Sequence, residues 1–179
     1  MIAGLILKDT VEEESIIAFL GDELEIMKVS TNDELAEVIQ EKQPEVIAAD
    51  IGTVEAREDL NEDEEKLKEE GFNFTPTTHE RKRSRRMEAL NSQLFELMGN
   101  NSPEAIRYEP NITAEELAIH DDQGIKSLGI ETGNIKSAEQ FDAALGAVTA
   151  RFYQQNQYED MGVIVPESME VKEDSDEKA

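Results

Sequence analysis

The sequence predicts an α/β fold in which an antiparallel meander joins parallel strands in a mixed five-stranded sheet with helices on both faces. Three observations predict it. Three short apolar or mixed runs follow one another at the start, separated by polar stretches; the run from Val46 to Ile51 is nearly all apolar; and later segments repeat apolar residues at helical spacing.

Residues 2 to 7, 15 to 20 and 24 to 29 are the three runs, parted by the polar stretch around Asp9 to Glu14 and by Gly21-Asp22-Glu23, and they read as a meander. Thr31 followed by Glu34 has capping-box spacing, and Leu35, Val38 and Ile39 share a helical face until Pro44, which predicts a helix of about ten residues. Val46 to Ile51 then reads as a central strand covered on both faces, with Asp50 at its open end. That end is where α/β sheets usually place ligand chemistry, although a solvated Asp closing a strand fits the position equally well.

Residues 55 to 70 carry nine acids and three bases with little apolar face and read as an exposed helix or mobile excursion. From Arg81 the charge reverses. Arg81, Lys82, Arg83, Arg85 and Arg86 precede Met87, Leu90, Leu94 and Leu97 at helical spacing, which predicts an amphipathic helix with a basic entry turn. Cations at a helix start oppose its dipole, so they are expected to be held, by acids from 55 to 70 in preference, or by phosphate. Arg81, Arg85 and Arg86 are the candidate phosphate contacts.

Ala105 to Glu109 reads as a strand stopped by Pro110; Thr113 and Glu116 again have capping-box spacing; and 121 to 136 reads as a loop. Ser137 and Gln140 open the clearest helix, with Phe141, Ala144, Leu145, Val148 and Phe152 on one face and Asp142 in its first turn. Gly162 to Pro166 is a last short strand or docked segment. Residues 1 to 166 are expected to form one domain, and 167 to 179 an acidic, disordered tail.

Composition excludes several classes of function. The 179 residues contain no Cys, so zinc-thiolate sites, disulfides and a cysteine nucleophile are ruled out. No glycine-rich phosphate loop or dinucleotide fingerprint occurs. No apolar stretch is long enough for a membrane span, and the start reads as a strand rather than a signal peptide, so a cytoplasmic location is expected. His79 and His120 are the two histidines and read as surface residues. The formal charge of -25 repels polyanions, so nucleic acid would need a local exception such as the basic turn. A high-salt cytoplasm is one reading of that charge, against which Glu outnumbers Asp 30 to 12.

The order of elements, with a strand ending in Asp50, another ending near Glu109 and a late helix carrying Asp142, outlines a ribonuclease H-like topology. Short stretches match further: Val46 to Gly52; Arg57-Glu58-Asp59 leading to Gly71 and Pro76; Met87 to Leu97; Arg107-Tyr108-Glu109-Pro110; and Phe141 to Arg151 followed by Gly162 and Val163 to Pro166. On these the chain resembles domain-of-unknown-function family 429, a group described as predicted nucleases of ribonuclease H-like fold. The resemblance implies that Asp50, Glu109 and Asp142 converge to hold magnesium or manganese, and that the protein is a divalent-metal-dependent nuclease or phosphodiesterase. It departs at the first strand, where an Asp is expected and Ile6 stands. Asp9 would replace that acid if the strand bulges; otherwise Lys8 would share Ile6's face and favour an ionised Asp50. The alternative is a catalytically inactive binding or interaction module.

Overall fold

The computed structural model describes residues 1–52, 62–74, 80–133 and 135–167. Strands β1 (Ile2–Ile6), β2 (Ser15–Leu20) and β3 (Leu24–Val29) form the expected meander, with Ile6 opposite Ile16 and Leu20 opposite Leu24. Two further strands, β4 (Val46–Ala49) and β5 (Glu104–Arg107), add in parallel on the other side of β1, giving the order β3-β2-β1-β4-β5. Every residue of β1, β2 and β4 is buried, as apolar runs without alternation require when both faces of a sheet are covered.

The covering helices are α1 (Asn32–Lys42) and α3 (Arg81–Met98) on one face and α6 (Ala138–Gln154) on the other. Strand periodicity sorts the core accordingly. Ile2, Ile6, Ile16 and Ala18 meet Ala144 and Val148 of α6, while Leu5, Leu7, Ile17 and Phe19 meet Leu35 and Ile39 of α1 and Met87, Leu90 and Leu94 of α3. Thr31 and Glu34 form the full capping box on α1, and Ser137 caps α6 by accepting from the Gln140 N–H.

The packing of α6 on β1 depends on two glycines. A Cβ on Gly4 would lie 2.1 Å from the Ala143 carbonyl oxygen, and one on Gly146 would lie 2.6 Å from the Tyr108 ring and 2.8 Å from the Gly4 Cα. No side chain fits there, so helix and strand backbones touch. The first turns of α6, with Asp142 beside Ala143, are thereby drawn onto the sheet.

Several expectations need correction. Residues 55 to 70 are not simply exposed: 62–69 form α2 (Glu62–Glu69), whose Leu67 is fully buried with Ile112, Met161, Val163 and Val165 in a third apolar cluster. The rest of that stretch, 55 to 61, lies outside the described residues. Thr113 caps nothing. Helix α4 (Pro110–Glu116) begins three residues earlier, with Pro at its first position where a missing N–H costs no hydrogen bond, and the buried Thr113 hydroxyl instead meets that of Thr149 at 2.7 Å. The loop reading of 121 to 136 misses a short helix, α5 (Asp122–Lys126), capped by Asp121. Leu97 falls off the buried stripe of α3 and is exposed.

The last strands, β6 (Tyr158–Asp160) and β7 (Ile164–Pro166), form a separate hairpin. Glu167 still binds it, its N–H donating to the Gln157 carbonyl at 2.9 Å; the remainder of the predicted tail, His79, and Arg57 to Asp59 with Pro76 lie outside the described residues. His120 is exposed, as expected. Among the described residues no helix is long and apolar enough to cross a membrane.

Candidate functional site at the ends of the parallel strands

The carboxyl ends of β1, β4 and β5 lie side by side, and the chain leaving each of them carries a polar residue to the same edge of the sheet. Asp50 follows β4 and Glu109 follows β5, with Tyr108 between Arg107 and Glu109 fixed by its N–H to the Ala49 carbonyl at 3.0 Å. The Tyr108 hydroxyl crosses to α6 and donates to the Asp142 carbonyl at 2.7 Å. One buried ring therefore ties the exits of β4 and β5 to the first turns of α6.

Asp50 is the electrostatic link among the three predicted acids. The negative charge of Asp50 pushes up the pKa of both Glu109 and Asp142, and all three acids act on the Tyr108 hydroxyl. Burial is the larger cause in each case. It raises Asp50 above the ordinary carboxyl range despite the opposing Arg83, lifts Glu109 to about 7, and raises Asp142. The expectation that Lys8 favours an ionised Asp50 is overturned: Lys8 pairs with Glu139 of α6 instead, and desolvation shifts Asp50 the other way.

Gathering is not the same as a metal centre. Both oxygens of Asp50 are in use: Oδ1 accepts the Leu7 N–H at 3.0 Å and Oδ2 accepts Arg83 Nη2. The same guanidinium donates through Nε to the Leu7 carbonyl at 2.6 Å, so one planar fork spans the ends of β1 and β4. Arg107 lies 3.4 Å from Glu109 Oε1 and 3.2 Å from Glu64 Oε1 of α2. Ile6 is buried in the core opposite Ile16, and the register runs to that pair without a bulge, so Asp9 is not turned inward and stays exposed. Among the described residues no three Asp, Glu or His side chains converge closely enough to hold a metal ion. A pair of divalent cations requires carboxylate oxygens free to coordinate, and the donor set here does not fit magnesium or manganese.

The basic turn divides into two groups. Arg83 and Arg86 point inward. Arg86 donates to the carbonyls of Lys8 and Ser30, each at 2.7 Å, and to Asn32 Oδ1 at 2.9 Å, so its donors are spent inside the fold rather than on a ligand, contrary to the phosphate-binding expectation. Arg81, Lys82 and Arg85 are exposed, and no carboxylate among the described residues pairs with them, the acids of α2 included. Arg83 is the site residue that reading the sequence missed as such. The signal was present: the stripe Met87, Leu90, Leu94, extended one turn back, falls on Arg83.

A cleft of about 310 Å³ opens beside this edge, lined by Ile6, Lys8, Asp9, Asp50, Glu80 and Arg83 among others. It is a mixed-charge depression whose one deep carboxylate is already bridged.

No family model matches the chain, and no curated protein does. Two solved structures of Thermus thermophilus RuvC are similar. One, in complex with a Holliday junction substrate, aligns with a TM-score of 0.51 and 15% identity, covering 92% of this chain and 98% of that one. The other aligns at 0.47 and 16% over the same shares. At this identity the likeness speaks for the fold alone, and the chain has the mixed five-stranded α/β architecture of the ribonuclease H-like group.

Proposed function

We propose that this protein is a ribonuclease H-like module that binds a phosphate-bearing polymer without hydrolysing it. The observation that carries the reading is Asp50, whose two oxygens are filled by the Leu7 N–H and the Arg83 guanidinium while Ile6 occupies the first-strand position. The exposed trio Arg81, Lys82 and Arg85, beside that edge on the first turns of α3, supplies the contact surface. Nucleic acid is the polymer by analogy of fold, since the Thermus structure carries a junction. Membership of family 429, as a divergent and inactive relative, belongs to the same proposal.

The test uses labelled single- and double-stranded DNA and RNA and a four-way junction, with magnesium or manganese present. The expected result is binding without cleavage, with log affinity falling against log salt at a slope of about -2 to -3 for three phosphate contacts. Each of Arg81→Ala and Arg85→Ala should flatten that slope by about 1. Binding unchanged by both variants would reject the surface.

A second reading, a metal-dependent phosphodiesterase, is supported by the effect of the Asp50 charge on both Glu109 and Asp142. Metal-dependent cleavage lost in Asp142→Asn would support it and overturn the first.

A further inference from the structure

We infer that the cations of the strand-end site are this chain's own arginines, and that Arg83 and Arg107 bind the sheet end to its two flanking segments in the absence of any divalent ion. Arg83 leaves α3 and bridges Asp50 to the Leu7 carbonyl, with Glu80 at 3.8 Å on its other side. Arg107 leaves β5 and stands between Glu109, at the start of α4, and Glu64 of α2. Among the described residues, two guanidiniums thus meet four carboxylates drawn from four places in the chain.

These are not surface pairs. The Arg107 side chain is 11% exposed and its partners Glu64 and Glu109 are 4% and 11% exposed; Arg83 and Asp50 are 18% and 13%. Ions withdrawn from water this far need their partners, because removing one leaves the other desolvated and unpaired. The arrangement also has a structural result. Glu64 is the buried polar residue of a helix that otherwise presents acids to solvent, and its pairing with Arg107 adds a second anchor for α2 beside Leu67. Next to Glu64 on α2, Asp63 packs so closely on Gly162 that a Cβ there would lie 2.5 Å from the Asp63 Cβ, which also ties the helix to the β6–β7 turn.

This inference concerns how the site is neutralised and holds whatever the polymer is, so its test reads stability and not nucleic-acid binding. Thermal unfolding of the wild-type chain is followed in EDTA and in manganese chloride, and then in Arg83→Met, Asp50→Asn and the double variant. The expected wild-type shift with manganese is under about 1 °C, whereas a micromolar site at a hundredfold excess of ion would raise Tm by roughly 5–10 °C. Arg83→Met and Asp50→Asn should each lower Tm, and the double variant should lose clearly less than the sum of the two. A manganese-dependent rise in the wild type that disappears in Asp50→Asn overturns the inference, as do additive losses. Should Arg83→Met fail to fold, the wild-type and Asp50→Asn titrations decide the question by themselves.

Discussion

Replacing Glu109 by Gln removes a proton-binding group from the most crowded part of the strand-end site, and the consequence for stability can be worked from the surroundings of that carboxyl. Glu109 is buried; burial raises its pKa, Asp50 adds to the rise, and Arg107 and Arg83 oppose it, leaving it at about 7 against an ordinary 4.5. A carboxyl whose pKa is higher folded than unfolded holds its proton more tightly in the native state. Its stabilising contribution is complete below about 4.5 and is lost as pH rises through about 7. A rise of that size corresponds to about 3 kcal/mol of stability lost across the window, at 1.36 kcal/mol per unit.

Glutamine keeps the shape and cannot ionise, so this part of the pH dependence disappears. Urea unfolding of wild type and Glu109→Gln at intervals from pH 4.5 to 8 measures it. The constant cost of the amide cancels in the comparison, as do, to first order, the titrations of Asp50 and Asp142. The variant should gain about 2–3 kcal/mol relative to wild type between pH 4.5 and 8. Parallel curves for the two proteins over that range would refute the reasoning.

Two further outcomes follow from the packing. Gly146→Ala should destabilise by about 1–3 kcal/mol, because its methyl would meet the Tyr108 ring and the Gly4 Cα, although alanine is the better helix former by about 1 kcal/mol; a raised Tm would contradict the backbone contact between α6 and β1. Arg86→Lys keeps the charge but loses the fork that reaches the Lys8 and Ser30 carbonyls and Asn32 together, and should cost about 2–3 kcal/mol in chemical denaturation; wild-type stability in that variant would mean those bonds contribute nothing.

The fold was legible because its elements are locally consistent. The meander from Ile2 to Val29, the capping box at Thr31 and the helix opened by Ser137 each follow from short-range patterns that tertiary contacts reinforce. Errors arose where a long-range contact decides. Nothing local marks Leu67 as buried, since its partners Ile112 and Val163 come from distant parts of the chain. Thr113 has the spacing of a cap, but Pro110 starts the helix first and the hydroxyl turns to Thr149.

The site was legible in part. Asp50, Glu109 and Asp142 stand out in the sequence by their places at strand and helix ends, and the charge of Asp50 acts on the other two. What occupies them was not legible from residue types, because an arginine in a basic run reads as a surface group. Only the phase of the α3 stripe separates the inward pair, Arg83 and Arg86, from the outward Arg81, Lys82 and Arg85.

Crystals grown with manganese and measured at a wavelength where the ion scatters anomalously test the arginine-for-cation arrangement most directly. The expected map shows the Arg83 guanidinium against Asp50 and no anomalous peak among Asp50, Glu109 and Asp142. A strong peak coordinated by those three carboxylates, with Arg83 displaced, would contradict it.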